Sequence, residues 1–169
     1  MIISLLGYMG SGKSHISKVL SQKLQFKLID LDKEISLKNK LSITEIFERK
    51  GEIYFRKQER AMLEEVLSTP ENCILSLGGG TPSYYNNMEL INTHSQSVFL
   101  RTSVKTLAER LLKHKNKRPL IAAQRDEDLP EFIAKHLFER NFYYSQAKFT
   151  LDTDGKEPEQ IAGEIASLF

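Results

Sequence analysis

Short apolar runs alternate along the chain with longer stretches in which apolar residues recur every three or four positions. Residues 2–6, 26–29, 73–77, 97–100 and 149–151 are runs rich in Ile, Leu, Val or Phe. They are too short for helices and read as strands of the buried, parallel kind. The segments between them are long enough for crossover helices, so the pattern predicts an α/β fold with helices on both faces of a sheet. Ile16, Val19, Leu20 and Leu24 share one helical face after Ser14. Ser42 followed by Glu45 has the form of a capping box, and Ile43, Ile46 and Phe47 continue the helical period. Leu107, Leu111 and Leu112 mark another helix, and Ile161, Ile165 and Leu168 the last one, with Pro158 near its start. Residues 32–62 are too long for a single crossover and heavily charged, which predicts a helical insertion over the sheet. Residues 114–128 are charged and weakly periodic, as a lid is.

Composition narrows the class. A chain of 169 residues with 40% hydrophobic and 27% charged residues suits one domain with a sizeable core. The net charge of +2 argues against a dedicated nucleic-acid binder. Cys73 is the only cysteine, so no internal disulfide forms. The first residues lack a basic flank before their short apolar run, and no run approaches the roughly 18 apolar residues that span a bilayer. A cytoplasmic protein is expected, with no membrane or nucleic-acid partner.

Gly7-Tyr8-Met9-Gly10-Ser11-Gly12-Lys13-Ser14 follows a predicted strand and opens a predicted helix. That is the phosphate-loop pattern in its proper context. Glycines let successive N–H groups turn inward as an anion nest, and the helix adds its positive end. Lys13 can reach the β- and γ-phosphates, and the Ser14 hydroxyl can ligate Mg²⁺. The motif specifies a nucleoside triphosphate and leaves the reaction open.

Asp30 and Asp32 close the second strand, where alternation is expected to put both carboxylates on one face. One can hold Mg²⁺ or its water shell, the other can take a proton from an attacking hydroxyl; helix capping is the competing role. Gly78-Gly79-Gly80 follows the third strand and allows an anion or hydroxyl to approach the backbone. Arg56, Arg118 and Arg140 could grip a carboxylate or stabilise a transferring phosphoryl group, but chain physics alone does not select them from the other arginines.

Taken together, the chain resembles shikimate kinases over nearly its whole length. The resemblance rests on Gly-x-x-Gly-x-Gly-Lys-Ser at 7–14, Asp-x-Asp at 30–32, Ser-Ile-x-Glu-Ile-Phe at 42–47 and Gly-Glu-x-x-Phe-Arg-x-x-Glu at 51–59. Gly-Gly-Gly at 78–80, Arg-Pro-Leu at 118–120 and Arg140 in Glu-Arg-Asn-Phe-Tyr-Tyr complete it. It implies a P-loop NTPase fold of the nucleoside-monophosphate-kinase type, with a five-stranded parallel sheet, a substrate subdomain near 32–62 and a lid near 112–126. It implies ATP and Mg²⁺ as co-substrate and cofactor, shikimate as acceptor, and a monomer. By position, Gly10, Ser11, Gly12, Lys13, Ser14, His15 and Arg118 would hold ATP, with Lys13, Asp32 and Arg118 catalytic. Asp32, Arg56, Gly78, Gly79, Gly80 and Arg140 would bind shikimate. Ser14, and Asp30 through water, would serve the metal, and Glu59 would orient Arg56. Phe47 and Phe55 would line the substrate subdomain. Family members often carry an arginine near 153–157, where this chain has Thr-Asp-Gly-Lys-Glu. The alternatives are a gluconate or nucleoside monophosphate kinase, a nucleic-acid-binding P-loop module drawing on Lys113, Lys115, Lys117 and Arg118, and a catalytically silent regulatory domain.

Overall fold

The computed structural model describes residues 1–169, the side chain of Pro119 excepted. Five strands, β1 (Ile2–Leu6), β2 (Lys27–Asp30), β3 (Cys73–Ser76), β4 (Gln96–Arg101) and β5 (Phe149–Asp152), form one parallel sheet in the order β2-β3-β1-β4-β5. The helices are α1 (Lys13–Leu24), α2 (Leu31–Asn39), α3 (Ile43–Leu67), α4 (Asn87–His94), α5 (Val104–Lys113), α6 (Pro119–Ala122), α7 (Leu129–Tyr144) and α8 (Pro158–Ala166). The chain first fills one side of β1 and then the other. The crevice beyond the carboxyl end of β1 therefore lies where the strand order reverses, the place where open α/β sheets bind ligands.

The pleat of β1 divides the core. Ile3 and Leu5 pack with Ile16, Leu20, Ile161 and Ile165 on the α1/α8 face. Ile2 and Leu6 join Leu63, Leu75, Phe99, Ile133 and Tyr144 on the other face. Every residue of β1 and β3 is buried, as expected for continuous apolar runs. The edge strands differ: β2 exposes Lys27 and Leu28, and β5 alternates. Each edge strand has a neighbour on one side only, so the expectation of full burial holds for the centre of the sheet alone. Two helical positions also depart from expectation. Leu112 and Leu168 are 45% and 39% exposed, because Leu112 lies one position off the Leu107/Leu111 stripe and α8 ends at Ala166.

The charged segment after β2 consists of α2 and the first part of α3. Ser42 caps α3 by accepting the N–H of Glu45 at 3.1 Å. α3 is not one straight helix: Gly51 has φ 84° and ψ 170°, which separates a short helix bearing Phe47 from a longer one bearing Phe55, Arg56 and Glu59.

Candidate active site

The phosphate loop connects β1 to α1. Gly12 caps α1 at φ 90° with no side-chain cap, so the first amides of the helix remain available to a ligand. The Lys13 ammonium curls back to donate to the carbonyls of Gly7 (2.7 Å) and Tyr8 (3.2 Å). Burial pulls its pKa down to about 8; Asp32 and Asp30 oppose that shift, while Arg118 and Arg140 add to it. The Ser11 hydroxyl is buried without a hydrogen-bond partner inside the same loop.

The two aspartates reach the site by a different route from the one expected. β2 ends at Asp30, which is the N-cap of α2 and accepts the Lys33 N–H at 3.2 Å. Asp32 lies in the first turn of α2 rather than on a strand. Strand alternation is therefore not what gathers the two carboxylates; a strand-to-helix turn is. Burial pushes the Asp32 pKa up to about 6, with Glu59 and Asp30 adding repulsion and Lys13 and Arg56 opposing it.

Gly78, Gly79 and Gly80 each face a different charged group. A Cβ placed on Gly78 would lie 3.0 Å from Asp32 Oδ1, one on Gly79 3.0 Å from Arg140 Nη1, and one on Gly80 2.8 Å from Arg56 Nη2. Side chains at these positions would push the three ionic groups away, so the glycine run serves close approach. Arg56 is held by Glu59, which is 1% exposed and lies 3.0 Å from Arg56 Nη1. Thr81 Oγ1 donates to Glu59 Oε2 at 2.8 Å, and Asn87 donates to the Thr81 carbonyl at 2.9 Å. Arg140 comes from α7, whose His136, Arg140 and Tyr144 are four residues apart and share a face. The Tyr8 hydroxyl and His136 Nδ1 are 2.9 Å apart, the Arg140 guanidinium lies 5.6 Å from the Tyr8 ring centre, and Tyr144 donates to the Gly79 carbonyl at 2.5 Å.

A cavity of about 640 Å³ brings together Gly10, Ser11, Gly12, Lys13, Ser14, His15, Asp30, Asp32, Gly78, Gly79 and Arg118. Gly80, Arg56 and Arg140 are not among its lining residues; Arg140 lies against Gly79, which lines the cavity, and Arg56 against Gly80. Ser14, Asp30, Asp32 and Ser76 present only oxygen donors, which suits a hard cation such as Mg²⁺ that keeps water and phosphate oxygens as its other ligands. Sequence reasoning missed Arg110, Tyr144 and Lys156. Arg110 lines the cavity and donates to the Gly10 carbonyl at 3.1 Å, and Lys156 lines it too. No local signal separates Arg110 from its surface counterparts; its role comes from a loop 100 positions away. Among the described residues no three His, Cys, Asp or Glu side chains cluster around a possible metal, and no helix is long and apolar enough to cross a membrane.

A family model described as "SKI: Shikimate kinase" matches residues 9–169. The shikimate kinase of Flavobacterium johnsoniae is 48% identical over 167 residues, covering 98% of this chain and 97% of that protein. Among solved structures, a shikimate kinase from Bacteroides thetaiotaomicron superposes with a TM-score of 0.92 at 35% identity, covering 99% of this chain and 97% of that one. A shikimate kinase from Acinetobacter baumannii in complex with shikimate gives 0.88 at 30% identity, covering 99% and 91%.

Proposed function

The chain belongs to the shikimate kinase family, and from that premise we propose how its residues transfer the ATP γ-phosphoryl group to the 3-hydroxyl of shikimate. The observation that carries the assignment is the trio of glycines, which sets Asp32, Arg140 and Arg56 side by side next to a phosphate loop. The loop amides of Gly10, Ser11, Gly12, Lys13, Ser14 and His15 bind the phosphates at the N-terminus of α1. Lys13 leaves the Gly7 and Tyr8 carbonyls for the phosphoryl oxygens, which restores its full charge. Ser14 would hold Mg²⁺ directly and Asp30 through water; the ion supplies neutralisation of phosphate charge. Asp32 orients the hydroxyl and takes its proton. Its raised pKa suits the task, because a base near neutrality is ionised yet basic enough to accept.

Arg56 and Arg140 grip the substrate carboxylate, with Glu59 fixing the fork of Arg56. The Gly78, Gly79 and Gly80 backbone sits against the acceptor. Arg118 is exposed in this structure and lines the cavity mouth. Movement of the 112–126 segment over the phosphates brings it to the transferring group and excludes water as a competing acceptor. Residues 32–62 form the subdomain that presents Phe47, Phe55 and Arg56 to shikimate. All these residues come from one chain, so a monomer is the expected working unit. Steady-state kinetics test the assignment. Arg56→Ala should raise the shikimate KM by about 10- to 100-fold with kcat changed only a few-fold, since a removed carboxylate clamp weakens binding. An unchanged KM would remove Arg56 from the clamp.

A further inference from the structure

The surroundings of Arg56 contain a contact that carboxylate binding alone does not require. The Arg56 guanidinium carbon lies 3.8 Å from the centre of the Tyr84 ring, much closer than to Phe55 (5.1 Å) or Phe47 (6.0 Å). The Tyr84 hydroxyl donates to Glu52 Oε1 at 2.6 Å. That same oxygen is 3.7 Å from Arg56 Nε, and Nε is buried with no hydrogen-bond partner. Arg56 is thus flanked by two carboxylates in unequal relation. Glu59 is buried and hydrogen-bonded to Nη1. Glu52 is half-exposed, one turn earlier on α3, and lies at ion-pair distance from Nε without hydrogen-bonding it.

The geometry points to Tyr84 as a positioning residue for the substrate carboxylate: its ring fixes the plane of the Arg56 guanidinium, and its hydroxyl holds Glu52 off the Nε donor. The inference rests on the reading that Arg56 grips shikimate. A guanidinium already paired with Glu59 keeps a limited number of donors for a ligand. A second internal carboxylate on Nε would compete with the substrate for charge and for a bidentate edge. The hydrogen bond from Tyr84 occupies Glu52 elsewhere. Burial and the Glu52 hydrogen bond both raise the Tyr84 pKa, so the phenol stays protonated and keeps donating at neutral pH. The ring stacked on the cation limits the tilt of the fork, a contact open to Arg and an aromatic face.

The two functions separate by substitution. Tyr84→Phe keeps the stack and releases Glu52, and should raise the shikimate KM about 3- to 10-fold with kcat and the ATP KM within about twofold. Glu52→Gln in the Tyr84→Phe background removes the competing charge and should restore the KM to within about twofold of the parent. Tyr84→Ala loses the stack as well, so Glu52→Gln should rescue it only in part. Arg56→Ala is measured in parallel. If it raises the KM while Tyr84→Phe leaves the KM unchanged, or if Glu52→Gln fails to rescue Tyr84→Phe, the positioning role of Tyr84 is overturned and the clamp stands. If Arg56→Ala itself leaves the KM unchanged, the clamp reading fails. Titration of shikimate binding by calorimetry gives the same comparison free of turnover.

Discussion

Lys13 and Asp32 share one cavity, and burial moves both toward neutrality from opposite sides: the lysine pKa falls to about 8 and the aspartate pKa rises to about 6. For the free enzyme, kcat/KM reports such groups. The shikimate kcat/KM should fall about tenfold per pH unit below pH 6, as Asp32 takes up a proton and ceases to be a base. The ATP kcat/KM should decline above pH 8, as Lys13 loses its charge. A flat profile from pH 5 to 9 would contradict the roles of both groups. The same shift has a stability consequence. The folded pKa of Asp32 lies above its ordinary 3.8, so its contribution to stability is greatest below that value and is lost as pH rises through about 6. At pH 8 the ionised carboxylate opposes folding. Asp32→Asn should therefore stabilise the ligand-free protein by about 1 kcal/mol at pH 8, with the gain vanishing near pH 4, while lowering kcat by about 100-fold or more. Denaturant melts at the two pH values, beside a turnover assay, check both halves.

Among elements, the break at Gly51 bears most on the proposed substrate side. It redirects α3 so that Phe47 packs on Phe55, with ring centres 4.6 Å apart, beside Arg56. A Cβ at Gly51 would meet nothing within 4 Å, so Gly51→Ala would introduce backbone strain alone. At φ 84° and ψ 170° that strain is about 1–3 kcal/mol. The expected result is a lower melting temperature and a raised shikimate KM, with the ATP KM nearly unchanged. An equal loss of both affinities would mean that the break does not act through the substrate side. The strands are legible to within a residue or two from their apolar runs, and the Ser42 cap and the phosphate-loop helix stand where expected, whereas no expected helix marks α4 or α7. The break was not legible, because Gly51 sits in a motif whose period continues through it. Asp-Leu-Asp fits strand alternation, yet the same three letters serve a cap followed by a first helical turn, and both carboxylates line the cavity by that route. Tyr84 and Arg110 were invisible because each acquires its role from partners distant in sequence: Glu52 lies 32 positions from Tyr84, and Gly10 lies 100 from Arg110.

At the scale of the whole molecule, the parallel sheet delivers three chemistries to one crevice. The loop after β1 provides anion-binding amides, the turn after β2 provides acids, and the glycines after β3 admit two arginines from α3 and α7. α7 ties these parts together, since one face contacts Tyr8 of the phosphate loop through His136 and Arg140 and the Gly79 carbonyl through Tyr144. On the proposed reading a cradle for triphosphate thus stands beside a carboxylate clamp and a base, an arrangement that would catalyse by positioning and charge neutralisation. The most direct test is ADP release by the purified chain with ATP and Mg²⁺, with and without shikimate, the product being identified by phosphorus–proton NMR. The account predicts that ADP forms in proportion to added shikimate, that phosphorus couples to the proton at carbon 3, and that little ADP forms without the acceptor. ADP release indifferent to shikimate, or a phosphate on another hydroxyl, would contradict it.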